Sequence, residues 1–262
     1  MVKRIGVDIG GTKIAVAIID VSVGKVLKSV QVPTPPAGSR EEVLQTIRSA
    51  VSALGLVEKL PIGIGVCEYV DNAGRILSSY AVDLKDANLP AEFADLGDVV
   101  VGSDVRAGAM AEFRFGAARG TASTFYVSAG TGISSCLLLN GVPLIGAHSV
   151  AIVLGAPPVE IQSSGRALDK KRQESDLTEP QLHELVTLAG RRTGEVVATI
   201  VNAIDPELIV IGGGLGLSET FFNSLAETVL LLAHKDTPSP YRVVPAELGT
   251  DAGVIGAALL TY

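Results

Sequence analysis

Arg4-Ile-Gly-Val-Asp-Ile-Gly-Gly-Thr-Lys-Ile-Ala-Val-Ala-Ile-Ile-Asp20 reads as a strand, a glycine turn and a second strand. Apolar and β-branched residues flank a Gly-Gly-Thr turn, the pattern of two paired strands. Much later the same logic returns in Thr124-Phe-Tyr-Val-Ser-Ala-Gly-Thr-Gly-Ile-Ser-Ser-Cys-Leu-Leu-Leu139. In both stretches a strand ends in a polar residue, Asp8 or Ser128. Small residues and a threonine follow, then an apolar strand. A repeat at this spacing predicts two related domains facing each other.

The rest of the chain alternates strands with helices. A third strand is expected over 23–32. A helix is expected over 40–56, where Val43, Leu44, Ile47, Val51 and Leu54 recur at three- and four-residue steps. Short buried strands are expected at 62–66 and 99–102, the latter leading into a helix over 105–116. A long helix is expected over 180–202, a buried strand over 208–214 ending in the glycine turn Gly212-Gly213-Gly214, and a small-residue helix at the end. The class is α/β. The domain boundary is expected at Gly102, giving 1–102 with the last helix (251–262) as one domain and 103–250 as the other.

Composition narrows the function. The 262 residues are 47% hydrophobic and 19% charged, enough for a packed core. The net charge of −7 and the lack of a basic run argue against a nucleic-acid footprint. No apolar run approaches the ~20 residues of a membrane span, and the basic start is interrupted by Asp8, unlike a signal peptide. The expected location is the cytoplasm. Two cysteines, Cys67 and Cys136, offer neither a disulfide framework nor a four-ligand zinc site, so no zinc is expected.

Four elements carry chemistry. In Asp8 to Lys13 a glycine turn lets backbone N–H groups approach phosphate oxygens, with Gly10 and Gly11 bare, Thr12 adding a hydroxyl and Lys13 a cation. Asp8 beside phosphates calls for a divalent cation between them, held through water. The same stretch alone is equally a plain hairpin. Gly130-Thr131-Gly132 supplies a second such turn, and two turns can clamp one polyphosphate from opposite sides. Gly212-Gly213-Gly214 offers a flat surface for a nucleoside, or simply close packing after a strand. Asp104 ends an apolar strand and opens a helix. It is either a helix cap or a base at a strand C-terminus, where α/β folds bind ligands.

Taken in order, these segments resemble the ROK family of sugar kinases and repressors. Asp8 to Lys13 is similar to its first phosphate motif, Gly130 to Gly132 to its second, and Asp205 to Gly214 to its adenosine segment. Ser103 to Glu112 with Phe115 to Gly120 resembles the segment holding the catalytic aspartate, and Asp251 to Ala257 the C-terminal motif. The resemblance implies an actin-like, ribonuclease H-like duplicated two-domain fold. It also implies ATP with Mg²⁺ as cofactors, Asp104 as catalytic base, a small polyol as substrate and a homodimer as assembly.

The departures lie on the acceptor side. The family's asparagine before the catalytic aspartate is Ser103. Its Gly-x-Pro-Gly pattern reads Gly65-Val-Cys-Glu68. Val153 and Ala156 align with a glutamate and a histidine that bind sugar hydroxyls, and the zinc-binding cysteine loop is absent. Glu160 stands where a sugar-contacting glutamate belongs. The resemblance implies a hexose kinase, glucokinase-like, as the default and includes kinases of C7-cyclitols. A hydroxyl left without its partner in a closed site costs roughly 1–3 kcal/mol, so the departures favour an acceptor other than glucose, such as a C7-cyclitol. Gly65, Glu68, Ser103, Asp104 and Glu160 are the expected substrate contacts. Glu68 is alternatively an exposed loop carboxylate, and Arg106 either approaches a phosphate or makes a surface salt bridge. A repressor needs a helix-turn-helix ahead of Arg4, for which no room is expected. A catalytically silent sensor is opposed by Asp104 and the two phosphate turns.

Overall fold

The computed structural model describes residues 1–35, 39–151, 154 and 159–261. The chain divides into two compact units. One takes the described residues of Met1–Phe115, Ile145–Ala151 and Asp251–Tyr262, the other those of Gly116–Leu144 and Ile152–Thr250.

In the first unit β1 (Lys3–Ile9), β2 (Lys13–Asp20) and β3 (Lys25–Pro33) form an antiparallel meander. Helix α1 (Arg40–Ser52) starts at a capping box. Ser39 Oγ accepts from Glu42 N–H, and Glu42 Oε2 accepts from Ser39 N–H at 2.7 Å. Strands β4 (Ile62–Val66) and β5 (Val99–Ser103) lie parallel to β1, so the sheet order is β3-β2-β1-β4-β5. Helix α2 (Leu89–Glu92) is a single turn; α3 (Asp104–Phe115) follows β5 directly. Ile5, Val7, Ile9, Ile62, Ile64 and Phe93 are among the buried residues of its core.

The second unit repeats this plan. Strands β6 (Ser123–Ala129), β7 (Ile133–Leu139) and β8 (Val142–Pro143) are antiparallel neighbours, and β9 (Leu208–Gly212) and β10 (Val243–Pro245) add in parallel beside β6. The order β8-β7-β6-β9-β10 matches the first sheet strand for strand. Helices α4 (Val159–Ser163), α5 (Gly165–Glu174), α6 (Glu179–Ile204) and α7 (Glu219–Leu232) complete the unit around Phe125, Val127, Ile209, Ile211 and Phe221.

The boundary differs from the expected Gly102. Helix α3 stays with the first unit because it packs on the last helix, α8 (Ala252–Leu259), at a contact so close that a Cβ on Gly256 would overlap the Ala107 carbonyl. Gly6 and Gly63 do the same for the sheet, where added Cβ atoms would run into the carbonyls of Val254 and Ala257. The small-residue character of α8 is thus a packing requirement. Residues 169–174 form the largely exposed second half of α5. Strand β10 has three residues and no sequence signal of its own; it exists through its pairing with β9.

Candidate functional site

In the first unit, strand register lines up three positions. Asp8 of β1 is opposite Gly65 of β4, and Gly65 is opposite Gly102 of β5. Asp104 comes two residues after Gly102, as the first residue of α3. A Cβ on Gly65 would stand 3.3 Å from Asp104 Cα and 3.7 Å from its Cβ, so Gly65 makes room for that aspartate. Asp104 Oδ1 accepts from Val105 N–H at 2.6 Å.

Asp8 near the end of β1 and Asp104 just after β5 are both half-buried, with β4 between their strands. Burial pushes Asp104 up to about 8, the charge of Asp8 adds to the rise, and the Val105 N–H opposes it. Burial raises Asp8 to about 6, against the pull of Lys13. Around them, Gly10 N–H donates to Lys13 O at 2.9 Å, Thr34 N–H to Thr12 O at 3.0 Å, and Thr34 Oγ1 to Gly10 O at 2.7 Å. These bonds fix the turn with Thr12 exposed.

Glu68 is neither an exposed loop carboxylate nor available to a ligand. It is 5% exposed. One oxygen accepts from Ser78 Oγ (2.5 Å) and Tyr80 N–H (2.8 Å), the other from Ala81 N–H (2.6 Å) and Val82 N–H (3.0 Å). It clasps the two ends of a loop, and its acceptor capacity is used. Ser103 is 7% exposed and ends β5. Val153 and Ala156 lie outside the described residues. The three histidines, His148, His183 and His234, are exposed.

Two residues here carried no assigned role in the sequence reading. Burial raises the Cys67 thiol well above its ordinary value, and the charges of Asp104, Glu68 and Asp8 add to the rise, so it stays protonated beside the carboxylates. Its place right after a buried strand was the available signal. Gly253 of α8 leaves space for Asp8, since a Cβ there would overlap Asp8 Oδ2. Nothing local in the sequence announces that contact.

In the second unit the turn between β6 and β7 is Gly130-Thr131-Gly132. Helix α5 stands on it: Gly165 N–H donates to Gly130 O at 2.8 Å and Arg166 N–H to Thr131 O at 3.0 Å. Gly130 N–H donates to Gly132 O at 2.8 Å, which closes the turn on itself. Nothing lies within 4 Å of where a Cβ on Gly130 would be. Glu160 sits against this same turn. Its Oε2 accepts from Ile133 N–H at 2.6 Å, and a Cβ on Gly132 would stand 3.0 Å from its Oε1. Burial raises its pKa, countered by the Ile133 N–H and by Arg166.

The third glycine run divides by role. Gly213 has φ +82, and a Cβ there would overlap Ala129 O; a Cβ on Gly212 would lie 2.5 Å from the Tyr126 hydroxyl. Close packing after a strand therefore accounts for both. Gly214 is exposed and open, with nothing within 4 Å of a Cβ position. Asp205 ends α6 in a left-handed conformation (φ 46) and accepts from the Tyr241 hydroxyl at 2.8 Å, which turns the chain into β9.

Among the described residues no three His, Cys, Asp or Glu side chains gather as a metal cage. A cation bound through one or two carboxylates and ligand phosphates needs no such cage, and Asp8 with Asp104 fits that pattern. No helix among the described residues is long and apolar enough to cross a membrane.

The family model described as "ROK family" matches residues 4–163 and 159–262. The Bifunctional enzyme NanE/NanK of Brucella melitensis is 31% identical over 281 residues, covering 96% of this chain and 52% of that protein. The chain therefore spans about half the length of that relative. The Polyphosphate glucokinase of Mycobacterium tuberculosis is 28% identical over 97% of this chain and 89% of its own. The crystal structure of a ROK family glucokinase from Streptomyces griseus, in complex with glucose and AMPPNP, superposes with a TM-score of 0.87 at 25% identity, covering 98% of both chains. Its agreement with the two repeated sheets identifies the fold as the duplicated α/β fold of the actin-like ATPases. Matched along nearly its whole length, this chain belongs to the ROK family.

Proposed function

We propose that the chain is an ATP-dependent kinase that phosphorylates a hydroxyl of a sugar, with Asp104 as general base. The observation that carries this reading is the pair Asp8 and Asp104 at the same end of one sheet, on either side of β4, where Gly65 clears the space beside the base. With Oδ1 held by Val105 N–H, Oδ2 is the oxygen assigned to take the acceptor's proton. Mg²⁺, when bound, supplies positive charge for the phosphoryl oxygens and favours the ionised forms of both carboxylates. Asp8 is assigned to hold that ion through water. The first glycine turn with Thr12 and Lys13, and the second with Thr131, are assigned to the phosphates, and the open backbone at Gly214 to the nucleoside. An ATP-consuming reaction of this kind is assigned to the cytoplasm.

The open glycines give a direct test. Gly130→Val and Gly214→Val meet no neighbour within 4 Å at the Cβ position, so each variant is expected to fold with stability within ~0.5 kcal/mol of wild type. Each is expected to raise the KM for ATP by ~10-fold or more through occlusion. An unchanged KM for ATP in both variants removes these glycines from the nucleotide site. By contrast Gly213→Ala should destabilise, because it combines φ +82 with overlap at Ala129 O.

The acceptor is the finer question. Ser103 and the aligned Val153 and Ala156 argue for a sugar other than glucose, whereas two of the similar proteins, from Mycobacterium tuberculosis and Streptomyces griseus, are glucokinases, and none of them supports a C7-cyclitol. A side-by-side measurement of kcat/KM for glucose, mannose, N-acetylmannosamine and a valiolone-type cyclitol, with ATP and with polyphosphate as donors, decides it. Highest kcat/KM on glucose overturns the shifted acceptor and leaves the kinase intact. No phosphorylated polyol at all overturns the kinase.

A further inference from the structure

We propose that Arg106 is a positioning residue that sets the acceptor-side loops against the helix carrying the base. The proposal deepens the kinase reading above and rests on it. Arg106 lies two residues past Asp104 on α3 and is half-buried. Its Nη1 donates to Val70 O at 3.1 Å and its Nη2 donates to Ser149 O. The planar fork of a guanidinium can reach two carbonyls at once, which an ammonium on a flexible stem does less well. The guanidinium thus ties two backbone segments to α3.

Each tied segment leads to acceptor positions. Val70 belongs to the loop that starts after Cys67. This loop is closed by the Val70–Ile76 bridge and by the Glu68 clasp on Ser78, Tyr80, Ala81 and Val82. It leaves the sheet beside β1, where Cys67 N–H donates at 3.0 Å to the carbonyl of Ile9, the residue after Asp8. Ser149 belongs to Ile145–Ala151, which clusters with the first unit although the chain before and after it belongs to the second. In sequence this segment precedes positions 153 and 156, which lie outside the described residues. Ser149 is 7% exposed and has φ +61, a left-handed backbone rare outside glycine and asparagine. Such a conformation persists where surrounding contacts over-determine it, and the Arg106 fork is one of them. The Ala151 N–H to Ile145 O bond at 3.1 Å closes the segment behind it.

The test uses the full chain with Arg106→Met, which keeps the aliphatic stem and removes the fork, and Arg106→Lys. For the best acceptor, Arg106→Met should raise KM by ~10–100-fold with kcat within ~3-fold and the KM for ATP within ~2-fold. Arg106→Lys should recover part of the acceptor affinity. A lowered Tm with an unchanged acceptor KM overturns the proposal, as does a fall in kcat with acceptor KM unchanged. Amide hydrogen exchange gives an arm that needs no turnover. Arg106→Met should speed exchange in both 69–76 and 145–151, and unchanged exchange in either segment overturns the tie. If wild type phosphorylates no polyol, the kinase reading fails by itself, and the exchange arm still judges the tie.

Discussion

Replacing Asp104 with asparagine is expected to lower kcat by ~10²–10⁴-fold, the usual cost of losing a general base, while the protein still folds. Asparagine keeps the shape and an oxygen for the Val105 N–H, so the helix start survives; what goes is the proton acceptor. Stability provides a second readout with a definite sign. The folded-state pKa of Asp104 lies at about 8, above its ordinary 3.8, mainly through burial. The folded state therefore binds this proton more tightly than the unfolded chain does. That contribution is fully present below the ordinary value and is lost as pH rises through about 8. Without ligand, wild type should thus melt at a lower temperature near pH 8.5 than near pH 5.5. A loss of ~1 kcal/mol corresponds to ~2–4 °C in a chain of this size. Asp104→Asn should show a smaller gap. Turnover within about threefold of wild type would remove Asp104 from the mechanism.

Asp8→Asn is expected to weaken Mg²⁺ dependence and activity by ~10–100-fold, as loss of a group that holds a metal through water does. EDTA should abolish wild-type turnover altogether. The variant should also move the pH profile. The Asp8 charge is the second cause of the raised Asp104 pKa, after burial. Removing it should shift the acid limb of kcat/KM for the free enzyme to lower pH, though not down to the ordinary carboxylate range, because burial remains. An acid limb that stays in place, with metal affinity unchanged, would mean that the two carboxylates do not act on one site.

Much of the architecture was legible locally. Strand and glycine-turn patterning located β1, β2, β6 and β7, and three- and four-residue apolar periodicity located α1. A Pro-led start located α6 within a few residues of its ends, Glu179–Ile204. These features depend on residues within a few positions of one another, where turn chemistry, caps and side-chain period act directly. The ordered set of glycine turns around Asp104 was enough to place the chain in its family. The repeat of strand–turn–strand anticipated two sheets of one plan.

Tertiary structure decided the rest, because burial, close approach and electric field depend on segments far apart in the chain. Glu68 changed from an exposed or ligand-facing carboxylate to a saturated clasp once Ser78 to Val82 folded back on it. Gly212 and Gly213 proved to be packing residues against Tyr126 and Ala129, while Gly214, with the same sequence context, stayed open. Helix α3 remained with the first unit because Gly256, near the other end of the chain, lets α8 press on Ala107. The raised pKa values of Asp104 and Asp8 have the same origin. The sequence by itself determined which carboxylates sit at strand ends, and only the sheet register, with Gly65 and Gly253 making room, brought Asp8 near enough for its charge to act on Asp104.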